Sequence, residues 1–196
     1  MARGLRLNEP GRAWVALAAL LAAGSLVGWF VPAAGWDWQP GLVAHEPWRC
    51  WSAAFVHWSE LHLAANLAGT AVVAALGWVG RVSWRGALAW ALAWPLTQLA
   101  LLLQPGLLHY GGLSGVLHAG VAVAVVELLP RRGRQRALAA AIGLGLLVKI
   151  ALEQPWGAPL RHPAGWDIAV APLAHATGAA AGLLLALLLR RRQSPR

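Results

Sequence analysis

Residues 109–136 read HYGGLSGVLHAGVAVAVVELLPRRGRQR. A Gly-Gly-Leu-Ser-Gly break opens an apolar run over 113–129, and four arginines (Arg131, Arg132, Arg134 and Arg136) close it. The run has no polar stripe of helical period, so it does not read as a surface helix of a soluble domain. It has nearly the length that crosses ~30 Å of hydrocarbon as a helix. Only a helix satisfies its own backbone hydrogen bonds there. Ser114 sits where the glycines end and the apolar run begins.

The same pattern repeats along the chain. Apolar segments fall at roughly 13–31, 57–79, 86–104, 113–129, 137–153 and 171–189. The expected fold is an all-α membrane protein, a bundle of six transmembrane helices forming a single domain over 1–196. Composition agrees, since 59% of the 196 residues are hydrophobic and only 12% charged, about half the charge fraction of a soluble domain. The net charge of +9 is not a nucleic-acid signature. The basic residues sit in short clusters between apolar runs, not along basic helices with interleaved aromatics. A lone cysteine, Cys50, excludes an internal disulfide framework and any Cys-only metal site. Arg3, Arg6 and Arg12 before the first apolar run resemble a signal peptide. No A-x-A site follows, residues 31–36 being VPAAGW, and the run is long for a signal core, so it is read as a span.

Thirteen of the sixteen Lys and Arg residues fall at the two ends of the chain and in the loops after the second and fourth segments. The opposite loops hold only Arg49 and Arg161, and Lys149 lies within segment five. By the positive-inside rule both termini are cytoplasmic, and loops 32–56, 105–112 and 154–170 face outward. The first of these carries Trp36, Trp38, Trp48 and Trp51, indoles suited to the headgroup layer. The last, with PWGAPLRHPAGW, is irregular and suited to movement.

Ionisable and polar residues inside a bilayer need partners or a task. His57, His62, Asn66, Gln98, Ser114, His118, Glu127, Lys149, Glu153 and His175 are the candidates. Glu127 is placed to reach the arginines at 131–136. Lys149 and Glu153, four apart, share a helix face and read as a structural ion pair. His62 and Asn66 share a face of segment two, Ser114 and His118 a face of segment four, and His175 opens segment six. Topology gathers His57, His62, Ser114 and His175 in the outer half of the membrane. Gly178 and Gly182 form a G-x-x-x-G pair, and Gly115 and Ala119 offer a matching smooth surface, so segments four and six are suited to close contact.

Taken together, these residues resemble the rhomboid family of intramembrane serine proteases. Trp48-Arg49, with Glu46 before it, is similar to the family's W-R motif. His57 to Asn66, HWSELHLAAN, is similar to its histidine-rich second span. Gly112-Leu113-Ser114-Gly115 matches G-x-S-G, and His175 to Gly182, HATGAAAG, matches H-x-x-G-x-x-x-G. Within the family the chain looks most like the rhombosortase branch, through Tyr110 to Gly115 leading into Val116-Leu117-His118 and through Lys149, Glu153 and Gln154. Those enzymes are associated with bacterial secreted proteins that end in Gly-Gly, an apolar helix and a basic tail. His118 departs from many rhomboids, where a tyrosine packs on the catalytic histidine.

The resemblance implies a rhomboid-like bundle in a bacterial inner membrane, acting on membrane-anchored protein substrates. Ser114 is the expected nucleophile and His175 its base, a dyad with no carboxylate evident as a third member, Asp167 lying in loop five. The Ser114 N–H with the His62 and Asn66 side chains would stabilise the oxyanion. Gly112, Gly115, Gly178, Gly182 and His118 would support the site. No cofactor, metal or nucleic acid is expected, and the sequence does not fix the oligomeric state. The alternatives are a non-catalytic rhomboid-like protein that binds transmembrane clients, a transporter or channel, and a His-ligated metal or haem protein. The first is expected to lack Ser114 or His175, the second to carry inverted repeats or a charged path across the membrane, and the third leaves G-x-S-G and Asn66 unexplained.

Overall fold

A computed structural model of the chain describes residues 9–190. Arg3 and Arg6 of the first basic cluster, and Arg191, Arg192 and Arg196 of the last, lie outside the described residues. The fold is all-helical: α1 (Arg12–Gly28), α2 (Arg49–Ser52), α3 (Glu60–Val79), α4 (Trp84–Leu99), α5 (Ser114–Leu128), α6 (Arg134–Glu153) and α7 (Pro172–Leu189). Among the described residues there is no strand, only the isolated antiparallel bridges Trp38–Tyr110 and Arg161–Val170. Among the described residues, four helices are long and apolar enough to cross a membrane: α3, α4 with its 3-10 extension to Leu103, α6 and α7. The apolar helices α1 and α5 are shorter, at 17 and 15 residues.

Local chemistry sets several boundaries. Ser59 caps α3 by accepting the His62 N–H at 3.1 Å, and Ser83 caps α4 by accepting the Gly86 N–H at 3.1 Å. Pro172 opens α7, where its missing N–H costs nothing. Segment one ends as a helix at Gly28, short of the expected residue 31. Residues 57–59 precede α3, because the Ser59 cap starts the helix later than apolarity alone suggests.

The short α5 is the hub. Most of its residues are buried, and it packs on α3, α4, α6 and α7. Its contact with α7 is made backbone to backbone. A Cβ on Gly178 would run into the Gly115 carbonyl, and one on Gly182 into the Ala119 carbonyl. Buried indoles join the other helices. Trp14 Nε1 donates to the Val73 carbonyl at 2.8 Å, Trp90 Nε1 to Val116 at 2.7 Å, and Trp94 Nε1 to Trp51 at 3.1 Å. By contrast α6 lies at the edge, with Ala139 alone buried and Leu144, Leu147 and Leu152 exposed. Such an apolar outer face suits lipid.

Two expectations are corrected. Glu127 does not turn to the arginine cluster. It accepts from the Ser83 N–H at 3.2 Å and the Ser83 hydroxyl at 3.0 Å, joining α5 to the head of α4. Trp38 is not an interfacial indole but fully buried, its main chain paired with Tyr110.

Candidate active site

Ser114 is the first residue of α5, so its N–H has no carbonyl one turn back within the helix and stays available. His175 lies in the first turn of α7 and is 7% exposed. The glycine contact between the two helices brings these residues together across 61 positions of sequence, with Ser114 Oγ 2.9 Å from His175 Nε2.

The other ring nitrogen fixes the tautomer. His175 Nδ1 lies 2.6 Å from Glu153 Oε2 at the end of α6. A carboxylate only accepts, so Nδ1 carries the proton. Nε2 is then bare and accepts from the Ser114 hydroxyl. The other carboxylate oxygen, Glu153 Oε1, accepts from Lys149 Nζ at 2.5 Å. The Lys149–Glu153 pair anticipated from spacing is therefore present, but it is not isolated. A carboxylate does stand behind His175, which the expectation of a bare dyad did not include. Asp167 instead accepts from the Ser59 hydroxyl at 2.8 Å, linking loop five to the head of α3.

His118 lies one turn below Ser114. Its Nδ1 sits 2.7 Å from the Ser114 carbonyl, to which it donates. Its ring stacks on His175, with centroids 4.2 Å apart and planes 12° from parallel.

On the opposite wall, His62 Nδ1 accepts from the Trp58 N–H at 3.3 Å, which leaves the proton on Nε2. That nitrogen faces Gly112, where a Cβ would approach it to 2.7 Å. Gly112 has φ +133°, a backbone that side chains rarely adopt. Two independent reasons thus require glycine there. Asn66, one turn on, spends one amide hydrogen on the His62 carbonyl at 3.0 Å and keeps the other. His57 packs against His62 with ring centroids 4.9 Å apart, and its buried Nε2 has no partner among the described residues. Gln98, another polar candidate, is fully buried in α4, with both amide atoms unpartnered among the described residues.

A cavity of about 40 Å³ lies over Ser114, lined also by His62, Tyr110, Gly111 and Val170. That is room for a water or a single carbonyl group. Tyr110 is fixed beside it by its own burial. Burial pushes its phenol up to about 12, with the Ser114 side chain and Gly115 N–H pulling the other way. It therefore stays protonated, and donates to the Gly112 carbonyl at 3.1 Å.

Loop one is knotted around Arg49, which is 5% exposed. Its guanidinium donates to Glu46 Oε2 at 2.6 Å, the Asp37 carbonyl at 2.7 Å and the Ala34 carbonyl at 3.1 Å. Buried Asp37 also takes His109 Nδ1 at 2.6 Å. Trp38 and Tyr110 exchange backbone hydrogen bonds at 2.8 and 2.9 Å, so this knot fixes the loop that delivers Gly111 and Gly112.

A hydroxyl, a bare imidazole nitrogen and inward-facing donors around a small polar cavity form an arrangement capable of acyl transfer. The model of the rhomboid domain matches residues 44–192. The chain therefore belongs to the rhomboid family, whose members are serine proteases that cut proteins within membranes. Neither curated proteins nor solved structures gave a match.

Of the residues singled out in the sequence, Ser114, His175, His118, His62, Asn66 and the four glycines line or brace one site. Glu153 and Tyr110 were not singled out for it. Glu153 had a visible signal, an ionisable residue at the outer end of a span, but spacing gave it a nearer partner. Tyr110 had only its adjacency to the glycines and its place in the stretch that resembles the rhombosortases.

Proposed function

We propose that this chain is an intramembrane serine endopeptidase in which Ser114 is the nucleophile and His175 the general base. The observation that carries the reading is the 2.9 Å contact between Ser114 Oγ and an unprotonated His175 Nε2. Ser114 Oγ attacks the substrate carbonyl carbon as its proton passes to Nε2. The tetrahedral oxyanion is held by the Ser114 N–H, His62 Nε2–H and the free Asn66 amide hydrogen. Collapse breaks the C–N bond, and Nε2 returns the proton to the leaving amine. Water then repeats the sequence on the acyl-enzyme. Gly112, Gly115, Gly178 and Gly182 allow the close backbone approaches that set this geometry, and His118 supports the His175 ring.

The distribution of arginines supports six spans in one domain over 1–196, both termini cytoplasmic and the site opening outward in a bacterial inner membrane. At ~1.5 Å per residue α5 covers about 22 Å, less than the ~30 Å hydrocarbon layer. This suits a serine sunk below the outer surface. The substrate class we favour is that of the rhombosortases: secreted proteins ending in Gly-Gly, an apolar helix and a basic tail. A cavity that admits one carbonyl favours a substrate without side chains at the cut, and glycines make local unwinding easy. The test is a membrane-anchored reporter with that tail. Cleavage by the wild type, lost in Ser114→Ala and His175→Ala, is expected. Cleavage that persists when Gly-Gly becomes Val-Val would contradict the rhombosortase assignment alone.

A further inference from the structure

We infer that Glu153 is a positioning residue for His175, and that its carboxylate also screens the ring from Lys149. This rests on the Ser114–His175 reading above.

Spacing alone makes Lys149–Glu153 an ordinary surface pair. The geometry divides the carboxylate instead. Oε1 goes to Lys149 and Oε2 to His175 Nδ1, at 2.6 Å. The His175 side chain is 8% exposed, the Glu153 side chain 24% and Lys149 47%, so the array runs from the buried ring outward. Little else fixes the place of this carboxylate, since α6 buries only Ala139. Its main chain is held from the other side: Arg161 Nη1 donates to the Glu153 carbonyl at 2.9 Å, and Arg161 pairs by two backbone hydrogen bonds with Val170 just before α7. Both ends of the connection between α6 and α7 are thereby pinned where Glu153 meets His175.

Two consequences follow. The carboxylate holds the proton on Nδ1, so that Nε2 faces Ser114 bare. It also stands beside the ring that becomes cationic when Ser114 gives up its proton. Lys149 Nζ lies only 3.3 Å from the same Nδ1, a position that opposes a charged ring unless an anion stands between. Removing Glu153 therefore does two kinds of harm: it frees the tautomer and leaves Lys149 facing His175. A purely structural strap has neither property.

The test is the rate of inactivation by a fluorophosphonate, which needs an activated serine but no known substrate. Glu153→Gln is expected to slow labelling at least about a hundredfold, toward the ~10⁴ seen when the orienting carboxylate of a serine–histidine pair becomes an amide. Glu153→Asp should recover part of it. Lys149→Met alone should change the rate less than about tenfold, yet added to Glu153→Gln it should raise the rate. Glu153→Gln at the wild-type rate overturns the positioning role of Glu153, and a double variant no faster than Glu153→Gln overturns its screening of Lys149; both leave Ser114 and His175 in place. Labelling that survives Ser114→Ala, or a wild type that takes no label, removes the underlying reading as well. A measurement free of folding effects uses Ser114→Ala protein: a downfield Nδ1 proton of His175, lost on Glu153→Gln, is expected, and its absence overturns the assignment.

Discussion

Replacing Gly178 by alanine should disarm the site without unfolding the protein. A Cβ at 178 lands on the Gly115 carbonyl, 2.8 Å from its carbon and 3.3 Å from Gly115 Cα. The neighbour is backbone of the most buried helix and cannot turn aside, so α5 and α7 must part by at least about 1 Å merely to clear the Gly115 carbonyl oxygen, which lies nearer still. Overpacking of this kind costs about 1–3 kcal/mol. Alanine returns about 1 kcal/mol as the better helix former. The net loss of ~0–2 kcal/mol leaves the chain folded. The site fares worse, because Gly115 follows Ser114 directly and Gly178 lies one turn from His175 on the same face. Adding ~1 Å to the 2.9 Å contact takes it past hydrogen-bond range. A misplacement of that size costs on the order of 10²-fold in rate. The assay pairs fluorophosphonate labelling with thermal unfolding in detergent, using Gly145→Ala as control. Gly145 is also helical, but nothing lies within 4 Å of its added Cβ, so its labelling should be unchanged and its stability up to ~1 kcal/mol higher. Gly178→Ala protein that is folded and labels within about twofold of wild type would refute the reasoning.

Three further outcomes are expected. Arg49→Ala leaves Asp37 buried beside an emptied site and should cost about 3–5 kcal/mol, read as a large fall in melting temperature. His118→Phe keeps a ring against His175 and should retain most labelling, whereas His118→Ala loses a stacking contact of about 0.5–1.5 kcal/mol and should slow it up to roughly tenfold. Asp167→Asn weakens the exposed link to Ser59, worth less than about 1 kcal/mol. It should speed both labelling and proteolysis of loop five by no more than about fivefold, with no change in melting temperature.

The sequence made legible what local chemistry dictates. Apolar runs bounded by arginines mark α3, α4, α6 and α7, because length and composition alone decide whether a helix suits a bilayer. The G-x-x-x-G of α7 and the small residues of α5 announce a close helix pair, because only missing side chains let two backbones meet. What stayed hidden depends on three-dimensional partnership. Glu153 had an obvious neighbour in Lys149, and nothing in sequence says that its second oxygen meets a ring on another helix. Glu127 had arginines close by in the chain, yet caps the helix that folds against it. Trp38 belongs to a run of tryptophans that reads as interfacial, yet its backbone pairing with Tyr110 draws it inside. In loop one the Trp48-Arg49 motif and Glu46 stood out by resemblance, but the rest of the knot around Arg49 did not, since it is tied by carbonyls and a carboxylate that follow no periodicity.

The central claim is that Ser114 is activated by His175, and its most direct test is to locate the covalent adduct. Wild-type protein in detergent, labelled with a fluorophosphonate and mapped by peptide mass spectrometry, should carry one phosphonyl group, on Ser114. His175→Ala protein of equal melting temperature should carry none. An adduct on Ser52, Ser59 or Ser83, or one on Ser114 that forms as fast without His175, would contradict the account.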